Sequence, residues 1–291
     1  MSVIIFEWHS TGLMSAEEIP ASTLATLRER ATRLRRHMLL MAKGRGQGYL
    51  AQGLGIADVL AVLYFHEMRY NPKNPQWPER DRFLLSTGHY SIALWAALAE
   101  AGVLPVEELS TYGADESRLE MSTLDTTPGV EIIGGSLGQG LGQGVGMALG
   151  LRLGNRDSRV FVELSDGELQ EGATWEAAMS ASHFELDSLV AIIDCNAIQA
   201  DGPIVLNIEP VRDKWQAFGW ETQEVDGNDL EQLLRAFHQA RARDGKPKAI
   251  VARTRPGKGV PLVEQKEKAH FVRLDPGEWE SAWRQLETQP V

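Results

Sequence analysis

Two short apolar runs near the middle of the chain, Val160-Phe161-Val162-Glu163-Leu164 and Leu189-Val190-Ala191-Ile192-Ile193, each run out into polar residues. The first is followed by Ser165-Asp166-Gly167 and the second by Asp194-Cys195-Asn196. Both runs are short and rich in β-branched residues, so they read as buried strands. The stretch between them, Ala173 to Phe184, has no Pro or Gly and favours helix. A strand–helix–strand unit returns its second strand parallel to the first, so both C-terminal ends open on one crevice. Open α/β sheets bind their ligands in that crevice. An Asp carboxylate, an Asn amide oxygen and nearby free backbone there suit a hard cation holding a diphosphate.

The spacing adds a resemblance. Asn196 lies 30 residues after Asp166. The segment from Ser165-Asp166-Gly167 through Glu171-Gly172 to Asn196 resembles the thiamine-diphosphate motif of transketolases, which opens with Gly-Asp-Gly and closes roughly thirty residues later with Asn. Ser165 stands in place of the first Gly, and Ile198-Gln199-Ala200-Asp201-Gly202 fits the flanking pattern. The resemblance implies thiamine diphosphate and Mg²⁺, with Ca²⁺ or Mn²⁺ able to substitute. Asp166, Asn196 and the Ile198 carbonyl would be metal ligands, completed to six oxygens by phosphate and water. Gly167 would offer its N–H to the diphosphate.

The similarity extends from about residue 25 to about residue 275. Asn71-Pro72-Lys73-Asn74-Pro75 through Ser86-Thr87-Gly88-His89 is similar to the family segment ending in Ser-x-Gly-His, so His89 is expected at cofactor or substrate. Pro128-Gly129-Val130-Glu131 and Gly135-Ser136-Leu137-Gly138 match the second glycine-rich stretch, implying main-chain contact from Gly135 and Leu137 to the aminopyrimidine ring. No register of residues 134–146 satisfies G-x-G-x-x-G, so the glycines are not a Rossmann fingerprint. The later ones could equally serve close helix packing. Thr254-Arg255-Pro256-Gly257-Lys258-Gly259 followed by His270 resembles the late cofactor loop, which puts His270 near the diphosphate. Glu171 aligns with a glutamate that links active sites across a subunit interface; a solvated glutamate at a helix start is the plainer reading.

Three departures bear on substrate. Gly48-Tyr49-Leu50-Ala51 puts Tyr49 where a histidine is expected, Met121-Ser122-Thr123 occupies a second such position, and Tyr90 beside His89 replaces a small residue; separately, Phe271 stands in place of a glycine after His270. A tyrosine, with a reference pKa of about 10, donates a hydrogen bond but is a poor proton shuttle at neutral pH. These changes imply a pocket reshaped for a donor or acceptor unlike the usual sugar phosphates.

Composition bounds the remaining choices. A net charge of −11 argues against nucleic acid, and no apolar stretch approaches a membrane span. One cysteine among 291 residues and no leader-like N-terminus fit a cytoplasmic protein. Cys195, without a nearby histidine in its motif, reads as a small buried residue.

The expected fold is α/β, a parallel sheet flanked by helices on both faces, in the manner of a diphosphate-binding domain. Residues 1–20 read as an N-terminal extension and residues 21–291 as the domain. Helices are expected at 22–43, 56–65 and 229–242, and further strands at 82–85, 221–225 and 249–254. The sequence reaches Val291 without the pyrimidine-binding domain whose glutamate activates the cofactor. The resemblance therefore implies one subunit of a split transketolase, active only with a C-terminal partner, in an α2β2 assembly. Alternatives are a thiamine-dependent carboligase or 2-oxo acid enzyme subunit with a non-sugar substrate, and a non-catalytic regulatory subunit of this fold.

Overall fold

The computed structural model describes residues 19–200 and 202–288. The expected extension at 1–20 lies outside the described residues apart from Ile19 and Pro20. Five strands, β1 (Arg82–Leu85), β2 (Val160–Ser165), β3 (Leu189–Cys195), β4 (Glu221–Asp226) and β5 (Lys248–Arg253), form one parallel sheet in the order β1-β2-β3-β5-β4. Every pairing is parallel, so all five C-terminal ends point the same way. Ser165 pairs with Asp194, and Leu85 pairs with Glu163. That register sets the residues after β1, β2 and β3 side by side.

Alternate strand residues feed two cores. Phe83, Leu85, Phe161, Val190, Ile192 and Ile250 face one layer, built from α1 (Ala21–Arg45), α2 (Leu50–Val62), α3 (Ser91–Glu100), α7 (Leu230–Gln239) and α8 (Pro276–Glu287). Leu84, Val162, Leu164, Ala191, Ile193 and Val251 face the other, built from α4 (Gly140–Leu153), α5 (Gly172–His183) and α6 (Val211–Ala217). With both faces covered, the strands carry near-continuous apolar runs, as parallel sheets require.

In α1, Leu27, Ala31, Leu34, Met38 and Met41 are buried on one stripe, as their helical spacing predicts. Gly46, at φ 76°, ends the helix in the left-handed region with its N–H on the Lys43 carbonyl. The chain then runs into Gln47 and Gly48, which pair antiparallel with Arg273 and Val272. This two-residue ladder sets Tyr49 beside the segment that carries His270.

Helix α2 begins six residues before the expected start at Ile56, because Gly53 and Gly55 mask its onset in the sequence. Packing explains both glycines: a Cβ on Gly53 would lie 2.8 Å from the Met38 sulfur, and one on Gly55 would lie 3.0 Å from the Arg255 carbonyl oxygen. Helices α3, α4, α6 and α8 were outside the sequence expectations. In α4 the cause is composition, since Gly140, Gly142, Gly144, Gly146 and Gly150 depress helix propensity by up to about 1 kcal/mol each relative to Ala. No described helix is long and apolar enough to cross a membrane.

Candidate active site

The strand ends bring four loops together. After β2, Asp166 starts a 3₁₀ turn at Gly167–Gln170; after β3 comes Asn196, and after β5 comes Thr254. After β1, Ser86-Thr87-Gly88 lead into His89 and Tyr90.

Asp166 is buried, with Oδ1 accepting from the Gly167 N–H at 2.8 Å and Oδ2 from the Ala197 N–H at 2.6 Å. Asn196 is buried too: its amide donates to the Tyr90 hydroxyl at 2.8 Å and to Asp194 at 2.7 Å. Its Oδ1 accepts the Ile198 N–H at 3.0 Å, closing a tight turn in which Ala197 sits at φ 62°. A non-glycine residue in the left-handed region is uncommon and marks a locally over-determined loop.

Carboxylates crowd this edge. Burial, with the neighbouring Asp194 carboxylate, pushes Asp166 up to about 7. Burial likewise pushes Asp194 up to about 6, although Thr254 and Asn196 donate to it. Glu168 is raised by burial to about 7 while it accepts from the Ser86 hydroxyl and, at 2.7 Å, from the Gly138 N–H. Glu163 is pushed well above the carboxylate range by burial while the Thr87 hydroxyl donates to it. Desolvated carboxylates without a compensating cation favour protonation, and a divalent ion in the site would reverse that preference. Asp166, the Asn196 amide oxygen and the Ile198 carbonyl make a donor set of hard oxygens that suits Mg²⁺. The residues present therefore fit the metal through an acid, an amide and a main-chain carbonyl; no group of three or more His, Cys, Asp or Glu side chains arranged to hold one occurs among the described residues.

A glycine crevice lies over the end of β1. A Cβ on Gly88 would sit 2.3 Å from the Gly134 carbonyl carbon, and one on Gly134 would sit 2.3 Å from the Leu85 carbonyl oxygen. The Gly135 N–H donates to the Ser86 carbonyl at 3.1 Å, and Gly135 itself has φ 119°. Only glycine allows main chain to lie this close to main chain. Ser122 donates to the Gly134 carbonyl at 3.3 Å, so the residue at the second expected histidine position props this loop from behind.

The remaining candidates form an aromatic cluster. The Tyr49 ring is 4.9 Å from His89, 5.4 Å from His270 and 4.9 Å from Phe271, each edge-on. His89 and His270 are 5.4 Å apart, and His89 packs on Tyr90 at 4.7 Å. Burial, and then His270, lowers His89 to about 4, so its ring is neutral at physiological pH.

The family model for the transketolase thiamine-diphosphate-binding domain matches residues 31–290. The chain belongs to the transketolase family. It is 55% identical over 263 residues to a putative uncharacterized transketolase family protein of Sinorhizobium fredii, across 89% of this chain and 94% of that one. It is 39% identical over 247 residues to the 6-deoxy-6-sulfo-D-fructose transketolase subunit SqwG of a Clostridium species, covering 84% of this chain and 90% of the relative. Transketolase-like protein 2 of Homo sapiens is 41% identical over 251 residues, but only 40% of its length is matched. A crystal structure of transketolase from Campylobacter jejuni superposes with a TM-score of 0.85 at 33% identity, over 90% of this chain and 43% of that one. The chain thus spans about two fifths of full-length transketolases and nearly all of its shorter relatives.

Within this transketolase frame, the structure gathers Asp166, Gly167, Asn196 and Ile198 at one edge and Tyr49, His89 and His270 in the aromatic cluster. The Gly167 N–H is taken up by Asp166. Leu137 is half-buried in the loop that follows Gly135. Glu171 stands apart: it is exposed, with its stem over Gly138, where a Cβ would meet it at 2.8 Å. Sequence reasoning passed over Gln52, Ser86, Thr87, Glu163, Glu168, Asp194 and Thr254. Two of them carried a signal, Glu163 as a lone carboxylate inside a β-branched run and Gln52 as a lone amide among apolar helix residues.

Proposed function

We propose that this chain is the diphosphate-binding subunit of a thiamine-diphosphate- and Mg²⁺-dependent transketolase. In this reading it works in the cytoplasm with a C-terminal partner of an α2β2 assembly and transfers a two-carbon ketol unit from a ketose to an aldehyde. The observation that carries the proposal is the pair of buried oxygen donors Asp166 and Asn196, tied to the Ala197–Ile198 turn and set side by side by the Ser165–Asp194 register.

The chemistry supplied by bound thiamine diphosphate is a nucleophilic carbon with an electron sink. The chain's own part is placement. Asp166, Asn196 and the Ile198 carbonyl hold the metal, and Gly167 with His270 approaches the diphosphate. Gly135 and Leu137 offer main chain to the flat ring. His89, neutral because it is buried, can offer or accept a hydrogen bond at the substrate, and Tyr49 donates one there. Glu171 would meet a neighbouring subunit, a role that its exposure next to the glycine loop supports. The relative named for 6-deoxy-6-sulfo-D-fructose makes a sulfonated ketose one donor to try beside the usual sugar phosphates.

One observation favours a second reading, a carboligase with a non-sugar substrate. Tyr49 and Phe271 both depart from the family pattern and their rings pack edge-on 4.9 Å apart, which supports a cleft wall reshaped by the two together. Calorimetric titration of thiamine diphosphate into the co-expressed pair of subunits, with and without Mg²⁺, tests the proposal. Metal-dependent binding that Asp166→Ala abolishes is the expected result; absence of binding in a folded complex overturns it in favour of a non-catalytic subunit. Turnover of α-keto acids without turnover of ketoses selects the second reading.

A further inference from the structure

We infer that Gln52 is a positioning residue that holds His270 as a single tautomer, the neutral imidazole with its proton on Nε2. The use of that proton in the cleft rests on the function proposed above; the tautomer itself does not.

Gln52 lies in the first turn of α2 and is 1% exposed. Its amide nitrogen is 2.7 Å from His270 Nδ1 and 2.9 Å from the His270 carbonyl oxygen. A carbonyl oxygen only accepts, so the atom facing it must be the NH2 of the amide; the amide oxygen in that place would set two acceptors against each other. The same NH2 has a second hydrogen, and Nδ1 receives it. Nδ1 must then present its lone pair, because a proton there would face another proton. A neutral imidazole has one N–H, which leaves it on Nε2.

Two further observations support the assignment. The Gln52 amide oxygen is buried and has no partner among the described residues, so His270 alone sets the direction of the amide. Leaving a buried acceptor unsatisfied is costly, and such an arrangement persists only when the opposite end of the amide is strongly held. The His270 carbonyl is fixed in turn by the chain that follows, where Val272 pairs with Gly48. The Tyr49 ring, at 82° to the imidazole, restrains it from the side.

The consequence is a division of labour between two histidines 5.4 Å apart. His270 is a fixed hydrogen-bond donor, able to hold an anionic oxygen of substrate or cofactor without giving its proton away. Gln52 acts on that oxygen only through His270, the way outer partners orient the ligating histidines of metal sites.

The test is long-range ¹H–¹⁵N NMR of the histidine rings in the full-length chain at pH 8, without ligand. The His270 signals are those lost in His270→Asn. The wild type should show a pyridine-type Nδ1 and a pyrrole-type Nε2. Gln52→Glu places a carboxylate, which only accepts, at the same spot and should draw a proton onto Nδ1. Gln52→Met offers neither donor nor acceptor and should give a mixture of tautomers. A wild-type His270 protonated on Nδ1, or an even mixture in the wild type, overturns the inference whatever the variants do. So does a Gln52→Met spectrum unchanged from wild type, since a side chain that merely packs would leave the tautomer alone. Because no cofactor is involved, the result stands or falls apart from the calorimetric test of function.

Discussion

Adding one carbon at Gly134 should damage both the fold and the site, and the structure sets the size of the effect. In Gly134→Ala the new methyl would meet the Leu85 carbonyl oxygen at 2.3 Å, the Gly88 Cα at 2.8 Å and the Gly88 nitrogen at 2.9 Å. All three are main-chain atoms, and Leu85 is the last residue of a strand buried on both faces. No side chain can rotate away, so the loop must lift by about an ångström or the strand end must shift. Overpacking of this kind costs about 1–3 kcal/mol, and an immovable neighbour puts the value at the upper end, about 3 kcal/mol. For a chain of this size that lowers Tm by about 6–12 °C. The control is Gly142→Ala, where a Cβ meets nothing within 4 Å on a helix interior. There the removal of backbone freedom should stabilise by about 0.5–1 kcal/mol. Differential scanning calorimetry of the three chains checks both signs, and thiamine-diphosphate titration of the assembled complex checks that Gly134→Ala also weakens binding. If Gly134→Ala melts within a degree of the wild type and binds as tightly, the crevice is not the close approach of main chain argued above.

Other expectations follow from the same site. Tyr90→Phe removes the acceptor 2.8 Å from the Asn196 amide and should cost about 1–2 kcal/mol in urea unfolding, with weaker metal-dependent cofactor binding. His89, lowered to about 4 by burial, is disfavoured as a cation in the folded chain. Its contribution is therefore complete above about pH 6.5 and is lost as pH falls from there toward about 4, by up to about 3 kcal/mol. Denaturant titrations across that range should show this loss, and His89→Asn should flatten it. The double substitution Tyr49→His with Phe271→Gly should raise kcat/KM for phosphorylated ketoses in the assembled enzyme, and by more than the product of the two single effects, because the rings touch. Additive single effects would break the argument that the pair was reshaped together.

How far the sequence could be read followed the range of the interactions. Strands β1 to β5 were legible because a parallel sheet covered on both faces demands apolar runs, and the Asp166–Asn196 spacing marked the ends of β2 and β3. The α4 helix was hidden by its glycines, which only the structure divides into two sorts. Gly140 and Gly144 lie against Ser86 and Val162, where a Cβ would come within 2.2 Å and 2.5 Å, whereas Gly142, Gly146 and Gly150 have nothing within 4 Å. Tyr49, His89 and His270 were each noticed separately, but nothing local says that they touch, since their meeting depends on a ladder between residues more than two hundred positions apart. Gln52 was passed over for the same reason. Its partner lies 218 positions away, and only its polarity on an apolar helix hinted at one.

That ladder has a consequence for how the molecule is made. Gly48 leaves the ribosome long before Val272, its partner. At about 5–20 residues per second, the interval is on the order of 10–45 s. During that time β1, β2 and β3 can pair as they emerge, and β4 joins only once β5, its one partner in the sheet, has followed it, while the wall of the cleft formed by Tyr49, His270 and Phe271 has no second side. The nascent polypeptide therefore acquires the strand-end edge before it acquires the means to enclose a substrate, and the closing stitch is synthesised after all five strands of the sheet.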